Sequence, residues 1–142
     1  MRQIVLTQGY QKVWIVEEDV IPPEDALAKL LEVDAQIVSG LYLMRHGIPV
    51  PNVFAYWDKG LGPLMHLSKV QHHWGETIQI TGGCMGCLLV DRSALDFNFQ
   101  ISQCRPPDTP YMIYSAEKGV KQMARLDVIC GHVNGRNEIL WP

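Results

Sequence analysis

Apolar positions along the chain come in short blocks, some spaced for strands and some for helices. Val13-Trp14-Ile15-Val16 is β-branched and aromatic, and acids follow it at once, which predicts a buried strand stopping at Glu17-Glu18-Asp19. Pro22-Pro23-Glu24-Asp25 predicts a helix opening. Proline is tolerated in the first turn, acids suit the positive end of the dipole, and Ala26, Leu27, Leu30 and Leu31 share one face. This helix should reach about Glu32. Residues 35–43 predict the next strand, so strand, helix and strand follow one another at the spacing of a right-handed crossover, and the sheet should be at least partly parallel.

Residues 45–83, broken by Pro49, Pro51, Pro63 and several glycines, predict irregular structure with hairpin strands at 52–57 and 76–80. After Gly82-Gly83, residues 84–90 predict an apolar strand and 91–95 a short helix. Pro106-Pro107-Asp108-Thr109-Pro110 marks a break, 111–124 carries helical periodicity through Gly119, and 126–130 predicts a last strand ending at Gly131-His132. The expectation is one α/β domain spanning 1–142, a mixed sheet flanked by helices, without internal repeats.

Composition narrows the function classes. At 142 residues, 47% hydrophobic and 19% charged, the chain can build one ordinary core. A net charge of −3 with scattered Lys and Arg argues against a nucleic-acid partner. The N-terminus is too poor in apolar residues for a signal peptide, and no apolar run approaches the length of a membrane span. Cys84, Cys87, Cys104 and Cys130 read as free thiols of a reducing compartment, so a cytoplasmic protein is expected.

Like charges packed at the end of an apolar strand raise one another's pKa unless a cation or solvent screens them. A divalent cation with oxygen ligands would relieve the repulsion, and the crevice beyond a strand's carboxyl end is the general ligand site of open α/β sheets. The alternative is that these acids cap the following helix and face water.

The run Val13 to Pro23 resembles the family 2 glycosyltransferase pattern of apolar strand, acidic DxD-type motif, proline and helix. Ile37-Val38-Ser39-Gly40-Leu41-Tyr42 is similar to the family's following strand, Gly82 to Arg92 to its acceptor-side glycine-rich strand, and Val128-Ile129-Cys130-Gly131-His132-Val133 to its terminal histidine motif. The resemblance covers nearly the whole chain in the right order. It implies a partial GT-A (Rossmann-like) fold and sugar transfer from a nucleotide-diphosphate sugar to a saccharide or other hydroxyl acceptor. On the matching positions it implies Mn²⁺ or Mg²⁺ held by Glu17, Asp19 and His132, and donor contacts from Glu17, Glu18, Gly82 and Gly83. Imidazole favours Mn²⁺ over Mg²⁺. Asp108 matches the acceptor base of an inverting reaction, the alternative being a plain helix-entry residue. Glu17 departs from the family's usual Asp by one methylene. Only about a dozen residues precede the acidic strand, so the nucleotide-binding unit that the family places there is expected to be missing, and 2–10 should be the end of the helix leading into that strand.

Two other readings compete. Cys84 and Cys87 with Cys104, Cys130 and His132 offer enough soft ligands for zinc, although residues three apart on a strand point to opposite faces. A non-catalytic binding module is the other reading, and it would form a homodimer through an exposed sheet edge. Trp14, Trp57, Trp74 and Trp141 could stack on sugars, and His72-His73-Trp74 could contact an acceptor; core packing and a plain loop are the alternatives.

Overall fold

Every residue of β3 (Ile37–Leu41) is buried, which suits a strand covered on both faces. In the computed structural model, which describes residues 2–46, 48–54, 71, 73–96 and 108–142, β3 is the middle of a five-stranded sheet. The order is β1 (Lys12–Val16), β9 (Cys87–Asp91), β3, β10 (Gln122–Ile129) and β7 (Thr77–Gln79). β9 runs antiparallel to both β1 and β3, β10 parallel to β3, and β7 antiparallel to β10. The sheet is therefore mixed, as expected for this α/β chain. The crossover from β1 to β3 through α2 (Ala26–Leu31) does join parallel strands. They are not neighbours, because β9 lies between them.

Alternation along the strands sorts side chains into two layers. On one face Ile37, Leu88 and Val90 pack with Tyr111 and Met112 of α3 (Asp108–Glu117), Val5 of α1 (Arg2–Gln8), and Ala94 and Leu95 of a 3₁₀ turn over Arg92–Asp96. On the other, Val38, Cys87, Leu89 and Val128 meet Ala26 and Leu30 of α2. Full burial of a side chain such as Leu30 contributes about 2 kcal/mol. No helix among the described residues is long and apolar enough to cross a membrane.

Smaller pairings complete the fold. β4 (Leu43–His46) pairs with β5 (Ile48–Pro51), β6 (Val53–Phe54) with β8 (Gly82–Gly83), and β11 (Gly131–Val133) with both β12 (Ile139–Leu140) and β2 (Val20–Ile21). Short strands do form within the expected segments 52–57 and 76–80, each in an antiparallel pair. β6 pairs with β8 and β7 with β10, and residues 55–57 lie outside the described ones. The strand expected from Cys84 starts at Cys87, because residues 84–86 turn. The helix expected to run to Ala124 stops at Glu117. Gly119 takes φ +80°, its N–H reaches Ala116 O at 2.9 Å, and Val120 N–H reaches Ser115 O at 3.0 Å. These are the paired hydrogen bonds of a glycine-terminated helix end, so Gly119 is the stop signal and 122–129 are free to form β10.

Two polar clusters hold these elements in place. Asn52 is fully buried. Its Oδ1 accepts the Tyr42 N–H at 2.9 Å, and its Nδ2 donates to Ser39 Oγ at 3.2 Å and Gly40 O at 3.0 Å. At the surface, β10 bulges between Ala124 and Ile129. There Arg125 bonds Asp127 at 2.6 Å and Glu32 at 2.9 Å, while Lys29 reaches Asp25 at 3.0 Å and Asp127 at 3.5 Å, tying α2 to the strand. Burial pushes the Asp127 carboxyl up, but the Arg125 hydrogen bond and the charges of Arg125 and Lys29 outweigh it, and the net shift is downward.

Asn52→Ala should cost about 3 kcal/mol in urea unfolding, because the Tyr42 N–H and two other buried groups lose their partner; a loss below about 1 kcal/mol would show that water replaces the amide. A carboxyl lowered in the folded state stabilises above its unfolded pKa of about 3.9, and that stabilisation disappears as the pH falls through the folded value. Asp127→Asn should therefore lower the urea midpoint at neutral pH, with the gap to wild type closing below about pH 4. A pH-independent gap would refute the ion-pair account.

Candidate metal and donor site

β1 ends at Val16, and the backbone then folds into a turn that carries the acids. The Glu17 N–H donates to Gly86 O at 3.1 Å, and the Glu17 carbonyl accepts the Val20 N–H at 3.1 Å. Glu18 and Asp19 thus occupy the two central positions of a hydrogen-bonded turn, where short polar side chains are at home. Val20 is 5% exposed and anchored among Ala26, Leu30, Tyr42 and Cys130, so the chain leaves the turn along β2 and enters the smaller sheet.

Register then decides what the acids meet. In the β2–β11 ladder Val20 lies opposite His132, and the Asp19 carbonyl accepts the Val133 N–H at 2.7 Å. The Asp19 carboxylate reaches the imidazole, with Oδ2 3.2 Å from Nε2. On the other side of the ring, Nδ1 lies 2.6 Å from the Leu43 carbonyl. A carbonyl can only accept, so Nδ1 carries a proton and donates it. In the neutral ring the Nε2 lone pair then faces a carboxylate oxygen. Two acceptors at that distance repel unless a proton or a cation lies between them.

Tyr42 closes the back of the site. Its ring packs edge-on against His132 at 5.5 Å, and its hydroxyl accepts the Gly86 N–H at 3.0 Å. A Cβ on residue 86 would come within 2.6 Å of the Tyr42 ring and hydroxyl, so this turn needs glycine. Glu17, Glu18 and Asp19 line an open depression in front of it.

The sequence-predicted residues divide clearly. Asp19 and His132 come together. Glu17 and Glu18 are exposed on the rim, and among the described residues no group of three or more His, Cys, Asp or Glu side chains is placed to hold a metal ion. Among the described residues Glu17 is therefore not placed as a third member beside Asp19 and His132, since it opens the turn whereas Asp19 holds its second central position. Gly82 and Gly83 do not border the acids. They are buried, and a Cβ at Gly83 would meet Asn52 O, Ser39 Oγ and Met112 Cε of α3. Asp108 is the first residue of α3, and its side chain lies outside the described residues.

Among the described residues the thiols form no zinc site. Cys84 Sγ contacts Met44 Sδ at 3.1 Å, whereas Cys87 and Cys130 are fully buried and both crowd Gly40. Their mutual hydrogen bond lowers the Cys87 pKa and, together with burial, raises that of Cys130. Cys104, His72 and Trp57 lie outside the described residues. His73 pairs with Glu76 at 2.9 Å, Trp14 packs against the α2-side core, and Trp74 and Trp141 are exposed. Sequence reading missed Tyr42, Gly86 and the Leu43 carbonyl. The only signal for them was a glycine inside an apolar block.

No protein-family model matches the chain, and no curated protein matches it. Among solved structures it is similar to A197 from STIV, with a TM-score of 0.56 and 15% sequence identity, over 98% of this chain and 70% of that one. At that identity the likeness is one of fold.

Proposed function

We propose that this chain is the metal-binding and acceptor-side part of a GT-A-type transferase, moving a sugar from a nucleotide-diphosphate donor to a hydroxyl acceptor in the cytoplasm. The observation that carries the reading is the Asp19–His132 pair. Its imidazole is pinned through Nδ1, so that Nε2 and a carboxylate oxygen face one another beside two further acids.

The donor set fits Mn²⁺ or Mg²⁺. Two donors each about 2.1 Å from an octahedral ion and at right angles to one another lie about 3.0 Å apart, close to the 3.2 Å between Asp19 Oδ2 and His132 Nε2. Such ions commonly take one or two protein ligands and complete their shell with phosphate oxygens and water. The Leu43 carbonyl is the outer partner that fixes the tautomer of a ligating histidine. A bound cation would neutralise charge on the departing nucleoside diphosphate. Glu17 and Glu18, exposed on the rim, would contact the ribose and diphosphate of the donor.

In the proposed transfer the acceptor oxygen bonds to the anomeric carbon as the bond from that carbon to the diphosphate oxygen breaks, and the acceptor proton passes to Asp108. Asp108 opens α3, and α3 packs on β8. Cys84, Cys87 and Cys130 are free thiols, which supports the reducing compartment. β1 pairs with β9 alone among the described residues, and its outer edge supports the homodimer reading.

Mn²⁺ with UDP or GDP should stabilise the protein against heat, by about 2.7 kcal/mol at a ligand concentration 100-fold above Kd. Asp19→Asn and His132→Ala should each abolish the stabilisation. Mn²⁺ affinity should also fall as the pH is lowered, because a proton competes for the same gap. If neither nucleotide shifts the melting of the unaltered protein in Mn²⁺, the transferase reading fails. Asp108→Asn should lower sugar transfer by about 10²- to 10⁴-fold while leaving that thermal shift intact. Loss of nucleotide binding in this variant would assign Asp108 to the donor instead.

A further inference from the structure

The two halves of the Asp19–His132 pair sit on different parts of the chain, and Tyr42 touches one directly and is linked to the turn of the other through Gly86. Its ring edge meets the His132 imidazole, with 5.5 Å between centroids and 61° between planes. Its hydroxyl accepts the Gly86 N–H at 3.0 Å, and the Gly86 carbonyl accepts the Glu17 N–H at 3.1 Å. A line of contacts therefore runs from the imidazole through Tyr42 and Gly86 to the residue that opens the acidic turn. The Glu17 carbonyl closes that turn by accepting the Val20 N–H.

Tyr42 is itself fixed from within the core. It is 2% exposed, its N–H is held by Asn52 Oδ1 at 2.9 Å, and its carbonyl accepts the Asn52 N–H at 3.0 Å. The space around it is also full. A Cβ on Gly86 would come within 2.6 Å of Tyr42 Cζ and Oη and 2.7 Å of Val20 Cγ2. Phenylalanine would keep the ring and remove the acceptor of the Gly86 N–H.

We infer that Tyr42 is a positioning residue that sets the distance between the His132 imidazole and the Glu17–Asp19 turn, its ring fixing one side and its hydroxyl the other. The role deepens the cation reading above and rests on it for its purpose, but the tether can be measured without metal.

The test uses the full chain and the variants Tyr42→Phe and Tyr42→Leu. Three quantities are read: amide hydrogen exchange at Glu17 and Gly86, the ¹⁵N resonances of the His132 ring, and Mn²⁺ affinity from the paramagnetic signal of the free ion. Tyr42→Phe should keep its far-UV circular dichroism. The Glu17 and Gly86 amides should exchange faster, and Mn²⁺ affinity should fall about tenfold. Tyr42→Leu, which also removes the ring edge, should in addition shift the His132 resonances. Unchanged exchange at both amides in Tyr42→Phe overturns the inference. So does the absence, in the unaltered protein, of nuclear Overhauser contacts between the Tyr42 and His132 rings, a measurement that needs no variant to fold. If the unaltered protein takes up no Mn²⁺, the cation reading falls, and the exchange and imidazole readouts decide the tether alone.

Discussion

The candidate site depends on a ladder two residues long. β2 consists of Val20 and Ile21, and its pairing with β11 brings together residues 113 positions apart in the chain. So short a strand has little stability of its own. What holds it is the burial of the Val20 side chain among Ala26, Leu30, Tyr42 and Cys130. An apolar contact thus fixes a polar one: with Val20 seated, the turn before it has nowhere else to put Asp19.

The electrostatics of the acidic turn follow from the same arrangement. Glu17 and Glu18 remain in water, where their mutual repulsion is screened, and Asp19 alone is drawn toward the imidazole. The cluster on β10 solves a similar problem differently. There two cations, Arg125 and Lys29, converge on the part-buried Asp127 and compensate its desolvation. One group of carboxylates is compensated by the protein's own cations, whereas in the other Asp19 faces His132 and Glu17 and Glu18 are exposed.

Much of the sheet was legible in the sequence, because β1, β3 and β9 are dense in β-branched and apolar residues and no competing signal sits inside them. The helix ends were less so. The periodicity of 111–124 continues past the true terminus, and only the left-handed conformation of Gly119 ends it. Sheet order was not legible at all, since nothing in residues 12–41 announces that a strand from residue 87 onward will lie between them. At the site, Asp19 and His132 could be named because the segments around them resemble the acidic and terminal histidine motifs of family 2 glycosyltransferases. The difference between Glu17 and Asp19 could not, because it comes from their places in one tight turn. Gly82 and Gly83 looked like an open approach to a ligand, yet both are buried in β8, on which α3 packs. Tyr42 reads in the sequence as one more strand residue, and its hydroxyl bond to Gly86 exists only in three dimensions.

The place of β9 between β1 and β3 also bears on the order of assembly. In a simple crossover unit, two strands near in sequence can zip together as soon as the helix between them forms. Here β1 must wait for Val16 to find Cys87 and Lys12 to find Asp91, a loop closure of some seventy residues that slows folding relative to local pairing. The acidic turn at the end of β1 is tied to the same closure, because the Glu17 N–H bonds Gly86 O. During synthesis the hydrogen bond from the Glu17 N–H cannot form before residue 86 has been made.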